Sequence, residues 1–348
     1  MTRFLGPLII LTALFLSCKQ DTQMEVDDTN LMPDSLDHGD SIQIGDTMPE
    51  DTLPENPIYA PPADLIVLND AIHFYVFGDF GRNGLDGQSE MAHMMDTVST
   101  VLPPDFIVGT GDNFYPDGVT STSDAHWTSS FENIYSSANG LNCLWYMTLG
   151  NHDYHGSIQA QIDYSDLSGR WTLPSNYYYK DFEKNGTFMR IVFLDTNPFI
   201  DPYYSEGKLK DKVILQDTTY RIQWMDSLFS DETKNWKIAV GHHPIYSGDS
   251  RTDEMLSIRN HLTSHFDSNG VNIYFNGHEH VIHHAKAEGP THYITSGTGS
   301  KVSAAPSIPE TVFAASESAF TIASMTADSI YLQVVSFKGE IIYKTGIK

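Results

Sequence analysis

Five short apolar runs in this 348-residue chain each end in glycine followed by a residue able to bind a metal ion. Residues 73–81 (HFYVFGDFG) end in Gly78-Asp79, and residues 105–115 (DFIVGTGDNFY) in Gly111-Asp112 with Tyr115 just beyond. Residues 144–153 (LWYMTLGNHD) end in Gly150-Asn151-His152-Asp153. Residues 236–244 (WKIAVGHHP) end in Gly241-His242-His243, and residues 271–280 (VNIYFNGHEH) in Gly277-His278-Glu279-His280. Carboxylates, an amide oxygen and imidazoles together are what a two-metal hydrolytic centre requires. One Gly-Asp pair carries almost no information, since any surface turn can hold it. Five runs ending alike do carry it.

These residues need elements to bring them together. Runs of β-branched and aromatic residues bounded by glycine are buried strands. Between them, residues 88–101, 124–136, 217–230 and 253–267 are expected as helices, the last stopped by Gly270. Strands alternating with helices predict an α/β domain, in which ligand residues gather at the carboxyl ends of strands. Residues 319–325, 329–337 and 340–345 are expected to be antiparallel strands, the last two joined at Lys338-Gly339.

The composition narrows the class. The chain carries 45 acidic against 20 basic side chains, for a formal net charge of −25. Such a surface repels nucleic acid and anionic membranes. A hydrophobic content of 40% excludes a wholly disordered chain, and two cysteines exclude a disulfide scaffold.

The charge is unevenly spread. Residues 1–17 have Arg3, then an apolar stretch too short to span a bilayer, in the pattern of a secretory signal. The stretch ends LFLSC, which resembles a bacterial lipobox and makes Cys18 the expected lipid-bearing residue; the alternative is an ordinary signal with an incidental cysteine. Residues 18–64 hold 12 acids and one lysine without hydrophobic period, and are expected to be a disordered, self-repelling tether. Residues 65–348 are then a single catalytic domain. The expected location is a bacterial cell envelope, periplasmic or surface-facing, held by lipid alone. Cys143, in an apolar run, is expected to be an inert buried thiol.

The motifs GDFG, GDNFY, GNHD, GHHP and GHEH resemble those of the metallophosphoesterases, and GDNFYPDGV with SGRWTLPSNYYY resembles the small, tartrate-resistant purple acid phosphatases. The resemblance covers residues 72–299. It implies two packed mixed β-sheets flanked by helices. It also implies that Asp79, Asp112, Tyr115 and His280 hold a ferric ion. Asp112 bridges to a second, divalent ion (iron, zinc or manganese) also held by Asn151, His242 and His278. Two carboxylates and a phenolate suit a hard trivalent cation.

The activity so implied is hydrolysis of phosphate monoesters, on small molecules or phosphoproteins, by a metal-bound hydroxide. The local charge of the metals lets an acidic protein bind phosphate. A phosphodiesterase or nucleotidase on the same site is the neighbouring reading, and a non-catalytic surface module the distant one. His152 is placed to protonate the leaving alkoxide or to bind a phosphate oxygen, alongside Asn151. Asp153 either orients His152 or closes the turn. His243 is a candidate for the pocket wall. The family's second pocket histidine is replaced by Arg251, a fixed cation able to grip phosphate, and Glu279 stands where the family has Asp. Residues 198–217 form an insert expected over the site. The protein is expected to be a monomer.

Overall fold

The computed structural model describes residues 59–136 and 140–348. Cys18, the signal-like segment and most of the acidic tether lie outside the described residues. The chain first lays down β1 (Ile72–Phe77), β2 (Phe106–Gly109), β3 (Trp145–Met147) and β4 (Trp171–Thr172) as parallel neighbours. It then builds a second sheet from β5 (Tyr178–Lys184), β6 (Thr187–Phe193), β7 (Trp236–Val240), β8 (Ile273–Asn276), β9 (Ile282–Lys286), β10 (His292–Ser296) and β11 (Thr311–Ala315). Finally β12 (Ala319–Met325), β13 (Ile330–Ser336) and β14 (Ile341–Ile347) return to the first sheet as an antiparallel meander.

The two seven-stranded sheets have the orders β14-β13-β12-β1-β2-β3-β4 and β11-β9-β10-β8-β7-β6-β5. Both are mixed, with a parallel centre that includes β1–β3 in one and β6–β8 in the other. Those central strands are buried on both faces, which is why they read as continuous apolar runs. Phe74 meets Phe275 edge-on at 6.1 Å between the sheets, and Phe106 stacks on Phe182 at 4.0 Å. Each buried ring adds about 1.5–3 kcal/mol of hydrophobic stabilisation.

The helices are α1 (Gln88–Ser99), α2 (Asn151–His155), α3 (Ile158–Asp163), α4 (Gly207–Val213), α5 (Thr218–Phe229) and α6 (Thr252–Asn269). The Asp217 carboxylate caps α5 by accepting from Tyr220 N at 2.9 Å, and Gly270, at φ 66°, ends α6.

The expectation at 124–136 needs correction. Residues Trp127–Glu132 form a widened π turn, closed by Asn133 N donating to Thr128 O at 3.1 Å. Two large aromatics, Trp127 and Phe131, both turn inward there, with Trp127 stacked on Tyr164 at 3.6 Å. The β5–β6 hairpin was not anticipated; Asn185-Gly186 makes its turn, both residues at positive φ. Among the described residues no helix is long and apolar enough to cross a membrane.

Candidate metal centre

The carboxyl ends of β1, β2 and β3 in one sheet meet those of β7 and β8 in the other. The backbone is forced there: Asp79, Asp112 and His278 sit at φ 61°, 50° and 70°, a region that costs a non-glycine residue of order 1–3 kcal/mol. The strained residue is therefore the candidate ligand itself. The preceding glycines answer to crowding. A Cβ on Gly277 would lie 2.3 Å from Asp79 Oδ2, and one on Gly150 would lie 2.1 Å from Asp112 Oδ1. His278 N, from one sheet, donates to both Asp79 oxygens at 3.1 and 3.0 Å in the other.

Eight donor atoms from seven residues converge in two sets. In the first, Tyr115 Oη lies 3.1 Å from Asp79 Oδ1, 2.9 Å from Asp112 Oδ2 and 3.1 Å from His280 Nε2. In the second, Asn151 Oδ1 lies 3.2 Å from His242 Nε2 and 3.0 Å from His278 Nδ1, and His242 Nε2 lies 3.4 Å from Asp112 Oδ1. Asp112 thus places one oxygen in each set. Ligands bound at about 2.1 Å stand roughly 3 Å from their neighbours around one ion, the spacing found here.

With neutral rings and ionised carboxylates, hydrogen bonds alone do not account for this packing. A single phenolic proton on Tyr115 cannot serve the Asp79 and Asp112 carboxylates at once. His242 Nδ1 faces the Thr110 carbonyl at 2.8 Å and must donate to it, which leaves Nε2 as a lone pair. His278 Nε2 faces Glu254 Oε2 at 2.8 Å and does the same, leaving Nδ1 as a lone pair. With both rings neutral the two lone pairs would meet at 3.2 Å, an arrangement relieved by a metal ion between them or, without one, by a proton on His242. The residues present therefore fit two metal ions.

The electrostatics agree. Burial pushes the Asp79 carboxyl well up, while Asp112, despite burial, is held well down by His242, His152 and His278. Burial, with Asp112 and Asp79, drives the Tyr115 phenol well above its ordinary range. Burial would depress His242, yet Asp112 against it lifts it to about 9. The raised Asp79, Tyr115 and His242 describe a pocket short of positive charge.

The remaining sequence-predicted residues are distributed around this core. His152 begins α2 beside Asn151; its ring lies 4.4 Å from that of Tyr115, and its Nδ1 donates to Pro116 O at 2.5 Å. Asp153 does not touch that ring. Its buried carboxylate accepts from Gly150 N at 2.8 Å, Asn113 N at 3.0 Å and Gln161 Nε2 at 2.9 Å, so it closes the turn and locks the loop carrying Asp112. Orientation of His152 falls to the Pro116 carbonyl instead.

His243 is likewise corrected. It is fully buried, with Nδ1 at 2.8 Å from Thr196 Oγ1 and Nε2 at 3.0 Å from Tyr203 Oη. The Thr196 hydroxyl accepts from the His242 and His243 amides, so its proton goes to His243 Nδ1. Both ring nitrogens are used, and His243 packs behind His242 and His278 rather than on a cleft wall. Tyr203 belongs to the 198–217 insert, so this contact ties the insert to the metal-facing imidazoles. Arg251 immediately precedes α6, half-exposed, with Nη2 at 3.4 Å from His278 O. Glu279 turns away from the donor sets to accept from Ser247 Oγ.

Three contributors were missed in the sequence. Glu254 lies three residues past Arg251 in SGDSRTDE, Thr110 lies inside GTGD, and Arg82 follows GDFG. The Arg82 guanidinium lies over the Tyr115 ring, 3.6 Å from its centre. Nothing local marked them as more than a helix carboxylate, a strand carbonyl and a loop cation.

Paired sheets with metal donors at their facing strand ends define a metallophosphoesterase. Residues 72–282 match the model of the calcineurin-like phosphoesterases, and the chain belongs to that family. Purple acid phosphatase 3 of Arabidopsis thaliana is 34% identical over 242 residues, covering 66% of this chain and 63% of that protein, less than two thirds of its length. Tartrate-resistant acid phosphatase type 5 of Mus musculus is 30% identical over 238 residues, covering 66% of this chain and 72% of that protein. Among solved structures, GAP50, the anchor in the inner membrane complex of Plasmodium, shares the fold with a TM-score of 0.67 at 22% identity, over 80% of this chain and 89% of that one.

Proposed function

We propose that this protein is a dinuclear-metal acid phosphatase that hydrolyses phosphate monoesters. The observation that carries the reading is the convergence of donor atoms from seven residues in two sets joined by Asp112, with the spare nitrogens of His242 and His278 already committed. Bound there, a ferric ion and a divalent partner would activate the attacking water and draw charge from the phosphoryl oxygens.

The chain's own residues supply the rest. Asp79, Asp112, Tyr115 and His280 would hold the ferric ion, and Asp112, Asn151, His242 and His278 the divalent one (iron, zinc or manganese). His152, with Nδ1 committed to Pro116 O, keeps Nε2 to deliver a proton to the leaving alkoxide. Arg251 at the rim offers a fixed cation to the phosphate. Asp153 holds the Asp112 loop without touching substrate.

Small phosphate esters or phosphoproteins are the proposed substrates. Attachment to a bacterial envelope through lipid on Cys18 belongs to the same proposal and rests on the sequence alone. The test is p-nitrophenyl phosphate against bis-p-nitrophenyl phosphate across pH, with metal analysis of the same sample. Faster turnover of the monoester supports the reading. Preference for the diester replaces it with a phosphodiesterase, and inactivity toward both in metal-replete protein rejects it.

A further inference from the structure

Arg82 follows the first motif, and its backbone amide is held by Gln88 Oε1 at 2.9 Å. Its side chain, 16% exposed, is fixed from two directions. Nε donates to Ser300 Oγ at 3.0 Å, and that hydroxyl donates to the Asp79 carbonyl at 2.5 Å. The guanidinium carbon then rests 3.6 Å from the centre of the Tyr115 ring, well within cation–π range. One chain of contacts thus links the backbone of Asp79 to the ring of Tyr115. Asp86, its nearest carboxylate, is 4.0 Å away and largely exposed.

A fixed positive charge beside a metal centre is unfavourable unless something between them is negative. The Tyr115 ring is what lies between. Its hydroxyl oxygen faces Asp79, Asp112 and His280, while its face lies under Arg82. Arginine suits this position because its planar group stacks on the ring.

We propose that Arg82 is a positioning residue for Tyr115, clamping the ring over the metal centre and lowering the energy of the electrons it shares with the ferric ion. The inference rests on the ferric reading of the first donor set. It has an optical consequence. A cation over the ring stabilises the donor orbital and widens its gap to the metal, so removal of Arg82 must narrow that gap.

The test is the visible absorption of Arg82→Gln and Arg82→Lys, purified with their native metals and compared at equal iron content. Arg82→Gln is expected to move the charge-transfer band to longer wavelength, and Arg82→Lys, which keeps the charge but not the planar stack, to return it part way. Should Arg82→Gln fail to retain iron, Arg82→Lys is read alone, with an intermediate displacement expected. A band that stays at the wild-type position in the iron-loaded variants overturns the proposal. So does a raised KM with an unmoved band, which would make Arg82 a substrate contact. An iron-loaded wild type without any band removes the ferric reading itself, a result distinct from a coloured wild type whose variants do not shift.

Discussion

His242 Nε2 and His278 Nδ1 face one another at 3.2 Å while each ring's other nitrogen is held by an oxygen, of Thr110 and Glu254 respectively. Such pinning fixes the tautomer and raises ligand basicity. Glu254→Gln should therefore weaken the divalent site about 10–100-fold and leave the visible band in place. Metal titration by calorimetry checks it; equal loss of both metals would argue for general unfolding instead.

Tyr115→Phe removes the one phenol in the first donor set while keeping its ring under Arg82. The variant should fold and lose the visible band. Near-ultraviolet circular dichroism reads the fold, and absorption reads the band. A surviving band would place the chromophore elsewhere.

His152→Ala should lower kcat by roughly 10²–10⁴ on an alkyl phosphate, whose leaving group needs a proton. The loss should be much smaller with p-nitrophenyl phosphate, whose leaving group departs without help. Equal losses on both would make His152 a phosphate contact rather than a proton donor.

The pH response has a component outside the donor sets. His284 lies between His292 at 2.9 Å and the Tyr343 hydroxyl at 2.8 Å. Burial, with His292, His283 and Lys286 nearby, lowers it from 6.5 to about 3. The unfolded chain takes up that proton first, so the stabilisation is complete above pH 6.5 and is lost as pH falls toward 3. His284→Gln, which does not titrate, should show a shallower fall in urea midpoint than wild type between about pH 6.5 and 4. Parallel curves would contradict it.

The ligand-type residues were legible because each sits one or a few positions beyond glycine at a strand end, a local pattern. The doubly buried strands were legible for the same reason, as unbroken apolar runs. Glu254 was not, because only the way α6 packs against the end of β8 brings its carboxylate to His278. The Arg82 stack on Tyr115 depends on two loops from different strands. Asp153 and His243 show the converse: a residue adjacent in sequence to a ligand can point the other way and serve the scaffold. The π turn at Trp127–Glu132 reflects two large aromatics seeking the core, which helical periodicity does not weigh.

The central claim is a two-metal centre with iron against Tyr115. Anomalous scattering at the iron edge, from crystals of protein purified with its metals intact, tests it most directly. An iron peak is expected among Asp79, Asp112, Tyr115 and His280, and a second metal peak among Asp112, Asn151, His242 and His278. Absence of any iron signal beside Tyr115 in metal-replete crystals would contradict it.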